Sequence, residues 1–145
     1  MITNERQYRI AKSEARKFEE AIAAARERGA GPEVQPRIHQ AMIESLQSEL
    51  GVLREQLKRY EALKAGKVRS RKARSLRELP IVLIEGRIAA GLTQLGLAKR
   101  LDLPEQQVQR YEATLYAGVS LERLQEVADV LGIEIEEHAR YAVRA

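Results

Sequence analysis

The sequence predicts an all-α chain built as two helical modules joined by a short basic arm, and three observations lead there. Apolar side chains recur at alternating intervals of three and four residues in both halves, the spacing that gathers them on one side of a helix. Aromatic residues make up only 4% of the chain, with Phe18 the single phenylalanine and no tryptophan. That composition suits narrow aliphatic seams better than one large core. The positive charge is also concentrated: the 145 residues carry a net +4, yet residues 66–77 alone hold six basic and no acidic side chains. With 44% hydrophobic and 32% charged residues, the chain has the balance of a folded, helix-rich protein rather than a disordered one.

The first module, residues 1–65, reads as two long helices. Tyr8, Ala11, Ala15, Phe18, Ile22 and Ala25 recur with intervals of 3, 4, 3, 4 and 3, and Ile43, Leu46, Leu50, Leu53, Leu57 and Tyr60 repeat the pattern. This is the seam of a long helical hairpin or a coiled coil, paired within the chain, with a second chain, or both. The first helix is expected from a cap at Thr3 or Asn4 to about Arg28. Gly29 to Pro36 supplies the break, and the second helix runs from about Pro36 to Ala65, stopping at Gly66. Thirty helical residues extend about 45 Å. His39 lies one heptad step ahead of Ile43 and reads as a polar end to the seam. The module is expected to serve association.

Residues 66–77 lack any apolar repeat and read as a linker or arm. The second module, 78–133, breaks into shorter helices. Pro80 to Ala90 carries Ile81, Ile84 and Ile88 on one face, with Leu92 following, and Gly91 stops it. Thr93 caps a helix from Gln94 to Leu101. Asp102 turns the chain, and Leu103-Pro104-Glu105 opens a third helix to about Glu112. Ser120 caps a fourth, Leu121 to Leu131, with Leu121, Leu124, Val127, Ala128 and Leu131 expected inward and Gly132 as its stop. The alternation Ile133-Glu134-Ile135-Glu136 suggests either a short strand in the tail, 134–145, whose edge could pair with a second chain, or a frayed end.

Gln94 to Tyr111 has the spacing of a helix-turn-helix. Leu97 and Ala98 lie inward, Leu101 and Leu103 bracket the turn, and Val108 and Tyr111 anchor the third helix. Glu105, Gln106, Gln107, Gln109 and Arg110 are then left on or near its outer face. A helix so placed enters the DNA major groove. A glutamine amide donates and accepts at once, matching adenine N6 and N7, and an arginine donates two parallel bonds to guanine O6 and N7.

Arg87-Ile88-Ala89-Ala90-Gly91-Leu92-Thr93-Gln94, Leu97-Ala98-Lys99-Arg100-Leu101, Val108, Arg110-Tyr111-Glu112 and Leu124 through Val127-Ala128-Asp129-Val130-Leu131-Gly132 together resemble the helix-turn-helix domain of the Xre, Cro and lambda-repressor-like proteins, over about 79–133. The resemblance implies a bundle of four or five helices that binds operator DNA, usually as a dimer. It implies phosphate contacts at Gln94 and Thr93, and base-facing positions at Glu105, Gln106, Gln107 and Arg110, with Gln109 flanking. Two positions depart from the family pattern. Gly96 costs its helix about 1 kcal/mol, and Asp102 stands where glycine often makes the turn. Residues 78–133 are also net −3, whereas DNA affinity depends on neutralised phosphates. The arm, through Lys67, Arg69, Arg71, Lys72, Arg74 and Arg77, is expected to supply the missing charge along the backbone or in the minor groove.

The remaining features exclude other classes. There is no cysteine, and the two histidines, His39 and His138, lie far apart, so neither a disulfide framework nor a thiolate metal site is available. Glu112 reads as a cap or a surface pair for Arg110. No catalytic grouping, phosphate loop or cofactor motif appears, so neither an enzyme nor a cofactor is expected. The longest apolar run falls far short of a membrane span, and the N-terminus lacks a secretory segment, which points to the cytoplasm. The sequence therefore predicts a DNA-binding transcriptional regulator, a repressor acting on double-stranded DNA as a homodimer. The alternative is an antitoxin whose N-terminal helices bind a toxin protein while the helix-turn-helix represses the operon.

Overall fold

A computed structural model describes residues 1–143. All regular structure in them is helical, and the chain divides into two compact units, Met1–Arg71 and Lys72 onward.

The first unit holds α1 (Glu5–Arg28) and α2 (Pro36–Lys64). Asn4 caps α1: its side-chain oxygen accepts from the Gln7 backbone N–H at 2.9 Å. Glu5 in the first turn and Arg26 and Arg28 in the last complement the helix dipole. Gly29, at φ 64°, ends the helix in a conformation that side chains resist. Pro36 opens α2, where its fixed φ suits a first turn and its missing N–H costs nothing. Contacts far apart in sequence show that the helices run antiparallel. Arg54 pairs with Glu19 at 2.8 Å, Tyr8 donates to Glu61 at 2.6 Å, and Lys64 pairs with Glu5. Tyr8 and Tyr60 stack with centroids 5.3 Å apart.

The hairpin's core is Ala15, Ile22, Ala25, Ile43 and Leu50, with Phe18, Leu46, Leu53 and Leu57 only partly covered. The seam is thus paired inside one chain. Three of α1's four buried residues are alanine, which lets the helices approach closely but buries little area.

The second unit begins with a 3₁₀ turn, Leu76–Glu78, and continues with α3 (Leu79–Ala89), α4 (Gln94–Arg100), α5 (Glu105–Ala113) and α6 (Leu121–Leu131). Leu83, Ile84, Leu97, Val108 and Val127 are fully buried at its centre. The Ser120 hydroxyl caps α6 by accepting from the Arg123 N–H, and Gly132, at φ 65°, ends it. Two expectations are corrected. Leu121, expected inward, is 67% exposed, because the first residue of α6 lies beyond the reach of the core stripe set by Leu124, Val127 and Ala128. The tail forms no strand; residues 133–143 carry no regular structure. Ile133 instead presses on α3, where a Cβ on Gly86 would overlap its side chain. Among the described residues there is no sheet edge for the tail to join, and an isolated strand has no partner for its backbone. No single helix among them is long and apolar enough to cross a membrane.

Candidate nucleic-acid interface

The helix pair α4–α5 is set by its caps and its turn. The Thr93 hydroxyl accepts from the Gly96 N–H at 2.9 Å and starts α4. Gly96 itself has a local reason. A Cβ there would sit 3.3 Å from that hydroxyl oxygen and 3.5 Å from Leu92 Cδ2, so glycine keeps the cap uncrowded at some cost in helix propensity. The chain then reverses at Asp102, which adopts φ 54°. This left-handed conformation suits a short polar side chain better than most others. The Leu103 N–H donates to the Ala98 carbonyl at 2.9 Å. Leu97, Ala98 and Val108 have no exposed surface and close the angle between the helices.

On α5, Gln106, Gln109 and Arg110 are exposed, while Glu105 and Gln107 are half-buried. Positions 106, 109 and 110 stand at i, i+3 and i+4, so they share one face. The Gln109 amide donates to the Glu105 carboxylate at 3.2 Å. That bond holds the acidic side chain along the helix. In the arm, Arg69, Arg71, Lys72 and Arg74 are all exposed, and the Arg74 backbone N–H donates to Glu78 at 3.0 Å. Arg69 and Arg71 fall in the first unit and Lys72 and Arg74 in the second.

Gln94 does not lie where it was expected. It is 8% exposed, and its amide nitrogen donates to Glu112 Oε2 at 2.7 Å. Glu112 is corrected with it: it is neither a cap nor a surface partner for Arg110. Its carboxylate takes a two-pronged ion pair from Arg87, Nε to Oε1 at 2.5 Å and Nη2 to Oε2 at 2.8 Å, with both side chains almost wholly buried. Arg87 Nη1 also donates to the Leu92 carbonyl at 2.8 Å. One guanidinium therefore ties α3 to the turn before α4 and to the inner side of α5, and Gln94 adds the start of α4. A fork-on-fork pair of this kind is geometrically specific, so the network orients α5 from behind. Arg87 carried a signal in the sequence: it sits among Leu83, Ile84 and Ile88 on an apolar helix, where a lone charge needs a buried partner. Glu112 carried one too, standing four residues after the buried Val108.

Tyr116 was not foreseen either. It is buried, its ring stacks on Tyr111 with centroids 5.4 Å apart, and its hydroxyl has no hydrogen-bond partner among the described residues. Burial, reinforced by the nearby Glu112 carboxylate, pushes its phenol well above the usual tyrosine range. It follows Leu115 in a turn where both residues have positive φ.

The domain is now identifiable. Residues 83–138 match the helix-turn-helix family. The C-terminal unit is a helix-turn-helix domain of the Xre and lambda-repressor-like kind. The match spans well under half the chain, and neither a curated protein nor a solved structure matches it. The helix-turn-helix family is one of DNA-binding regulatory domains, and its presence in the C-terminal unit supports a DNA-binding transcription regulator of the Xre type.

Proposed function

We propose that the protein is a sequence-specific repressor that binds operator DNA as a homodimer and blocks transcription by occupying a promoter. The observation that carries this reading is the outer face of α5, where Gln106, Gln109 and Arg110 are exposed side by side on a helix whose inner side is fastened by Arg87 and Glu112. Amides and a guanidinium held on a rigid helix have the chemistry to read adenine and guanine edges. Gln107 and Glu105 border that face. The Thr93 hydroxyl, which only accepts in its cap, keeps its own hydrogen to donate to a phosphate. The inward turn of Gln94 assigns its side chain to orientation of the domain instead.

The basic arm complements this reader. The helix-turn-helix region is net acidic, while residues 66–77 carry six positive charges. Arg69, Arg71, Lys72 and Arg74 are therefore assigned to the phosphate backbone or the minor groove. Two domains in a dimer would read half-sites about 34 Å apart.

The experiment is selection of bound duplexes from a random pool, followed by salt titration. The expected result is a pair of half-sites about one helical turn apart. Gln106→Ala should relax base preference more than it weakens binding to random DNA. Neutralising the four arm residues should weaken binding to all sequences and flatten the salt dependence. A protein that ignores every duplex at low salt would overturn the proposal.

A further inference from the structure

The hairpin has two flanks beside its seam, and they differ in chemistry. On one flank the helices present Arg9, Lys12, Arg16 and Glu19 from α1 and Arg54, Lys58 and Glu61 from α2, all polar and in part paired across the helices. The other flank is the more apolar one. Ile10 is 49% exposed, Ile38 60%, Met42 48% and Val52 53%. Their heptad positions put all four on the same side as the partly covered Phe18, Leu46 and Leu53. Between the helices on that side lies an open groove of about 510 Å³, lined by Phe18, Ala21, Leu46 and Leu53 and bordered by Glu14, Lys17 and Glu49. Exposed apolar residues scattered singly are ordinary, but four on one side of a hairpin, flanking a groove floored by Phe18, Leu46 and Leu53, mark a contact surface.

We infer that this flank is covered by the same flank of a second copy, so that two hairpins close into a four-helix bundle. Charge favours that occupant. The apolar side carries few charges and both signs, Lys17 beside Glu14 and Glu49, whereas the opposite side holds mostly basic residues and would repel its own copy. Size agrees as well. A helix of 24 residues is about 36 Å long, and two helices side by side, 8–10 Å apart, present a face about 20 Å wide. The product, about 700 Å², is close to the roughly 800 Å² per partner of a stable interface. The alanine-lined seam supplies the reason a cover is needed, since a two-helix layer buries little apolar area by itself. This inference rests on the dimeric reading above and names the surface that serves it.

The test is sedimentation of the full-length protein and of Met42→Glu/Val52→Glu, with circular dichroism to confirm unchanged helix content. Both positions are exposed and outside the buried seam. Wild type is expected at dimer mass and the double variant at monomer mass, with dimer affinity lowered at least about 100-fold, because two copies would each bury unpaired carboxylates. Arg16→Glu on the opposite flank should leave the mass unchanged. A double variant that stays dimeric overturns the inference and leaves the dimeric reading standing. A wild type that is monomeric overturns both, and so does a monomer whose flank is occupied by a different protein. Binding of each form to a single half-site duplex reports separately on the DNA-reading function.

Discussion

The hairpin and the helix-turn-helix unit are both helical, yet they bury their side chains to different depths. Leu83, Ile84, Leu97, Val108 and Val127, the large side chains with no measurable exposure, all lie in the second unit. In the hairpin Ile22, Ile43 and Leu50 are buried but keep a few per cent of their surface, and the other inward positions are small or partly open: Ala11, Ala15 and Ala25 on α1, and Leu46 and Leu53 on α2. Four short helices crossing at an angle enclose a volume, while two long antiparallel helices form a single layer with two open sides. The compact unit can therefore hold a buried ion pair and fix the orientation of α5, whose outer face is the proposed reading surface. The layered unit keeps apolar area available for another surface to cover.

That contrast can be broken from either side. The largest effect is expected from Glu112→Ala, which leaves the Arg87 guanidinium buried without its partner. It should cost the second unit about 3–5 kcal/mol, seen as early loss of its transition in denaturant while the hairpin transition stays in place. If both transitions moved together, the two units would not be energetically separate. Next, Leu97→Ala should cost about 2–5 kcal/mol because its surroundings cannot collapse, with Leu50→Ala at the low end of that range because the neighbouring groove allows relaxation. Thermal unfolding of the two variants measures the difference, and equal losses would remove the distinction in packing.

A smaller effect is expected where α3 meets the tail. Gly86→Ala forces Ile133 off the helix and should cost about 1–2 kcal/mol, read as a lowered denaturant midpoint. Alkaline pH gives a comparable, tunable effect. Tyr116 holds its proton more tightly folded than unfolded. Its contribution is complete below the unfolded tyrosine value near 10 and is lost as pH climbs toward the raised folded value, by about 1.4 kcal/mol per pH unit. Tyr116→Phe should remove most of that slope. Tyr8 in the hairpin is also raised, chiefly by its bond to Glu61, but it faces solvent and should contribute little. The smallest effect is at a helix end: Asn4→Ala should cost the hairpin about 1 kcal/mol, visible as fraying of α1 by hydrogen exchange.

Helix ends and turns were legible in the sequence because their causes are local. Asn4, Thr93 and Ser120 cap the helices they precede, and Gly132 and Asp102 adopt the left-handed backbone their positions require. The order of helices in the reading domain was legible for the same reason. What the pattern hid was side-chain direction near the centre of that domain. Gln94 and Glu112 look like surface residues because polar residues usually are; burial becomes favourable only because Arg87, twenty-five positions before Glu112, pairs with its carboxylate, to which Gln94 also donates. The strand suggested at Ile133 failed through the same kind of distant influence. Alternation is a property of a segment, whereas a strand also requires a neighbouring edge. In α1 and α2 the heptad spacing identified the seam but could not rank its members, since spacing alone does not say that Phe18 and Leu53 sit at the open edge of the packing while Ile22 and Leu50 lie within it.

Arg87 has one more consequence. With its guanidinium clamped on α5 from the rear, the proposed reading helix has little freedom to pivot in search of a better fit. Mutual adjustment at an operator then falls to the supple ends of the glutamines and to the bendability of the duplex. Preference should extend to base steps that no side chain touches, selected for how readily they curve.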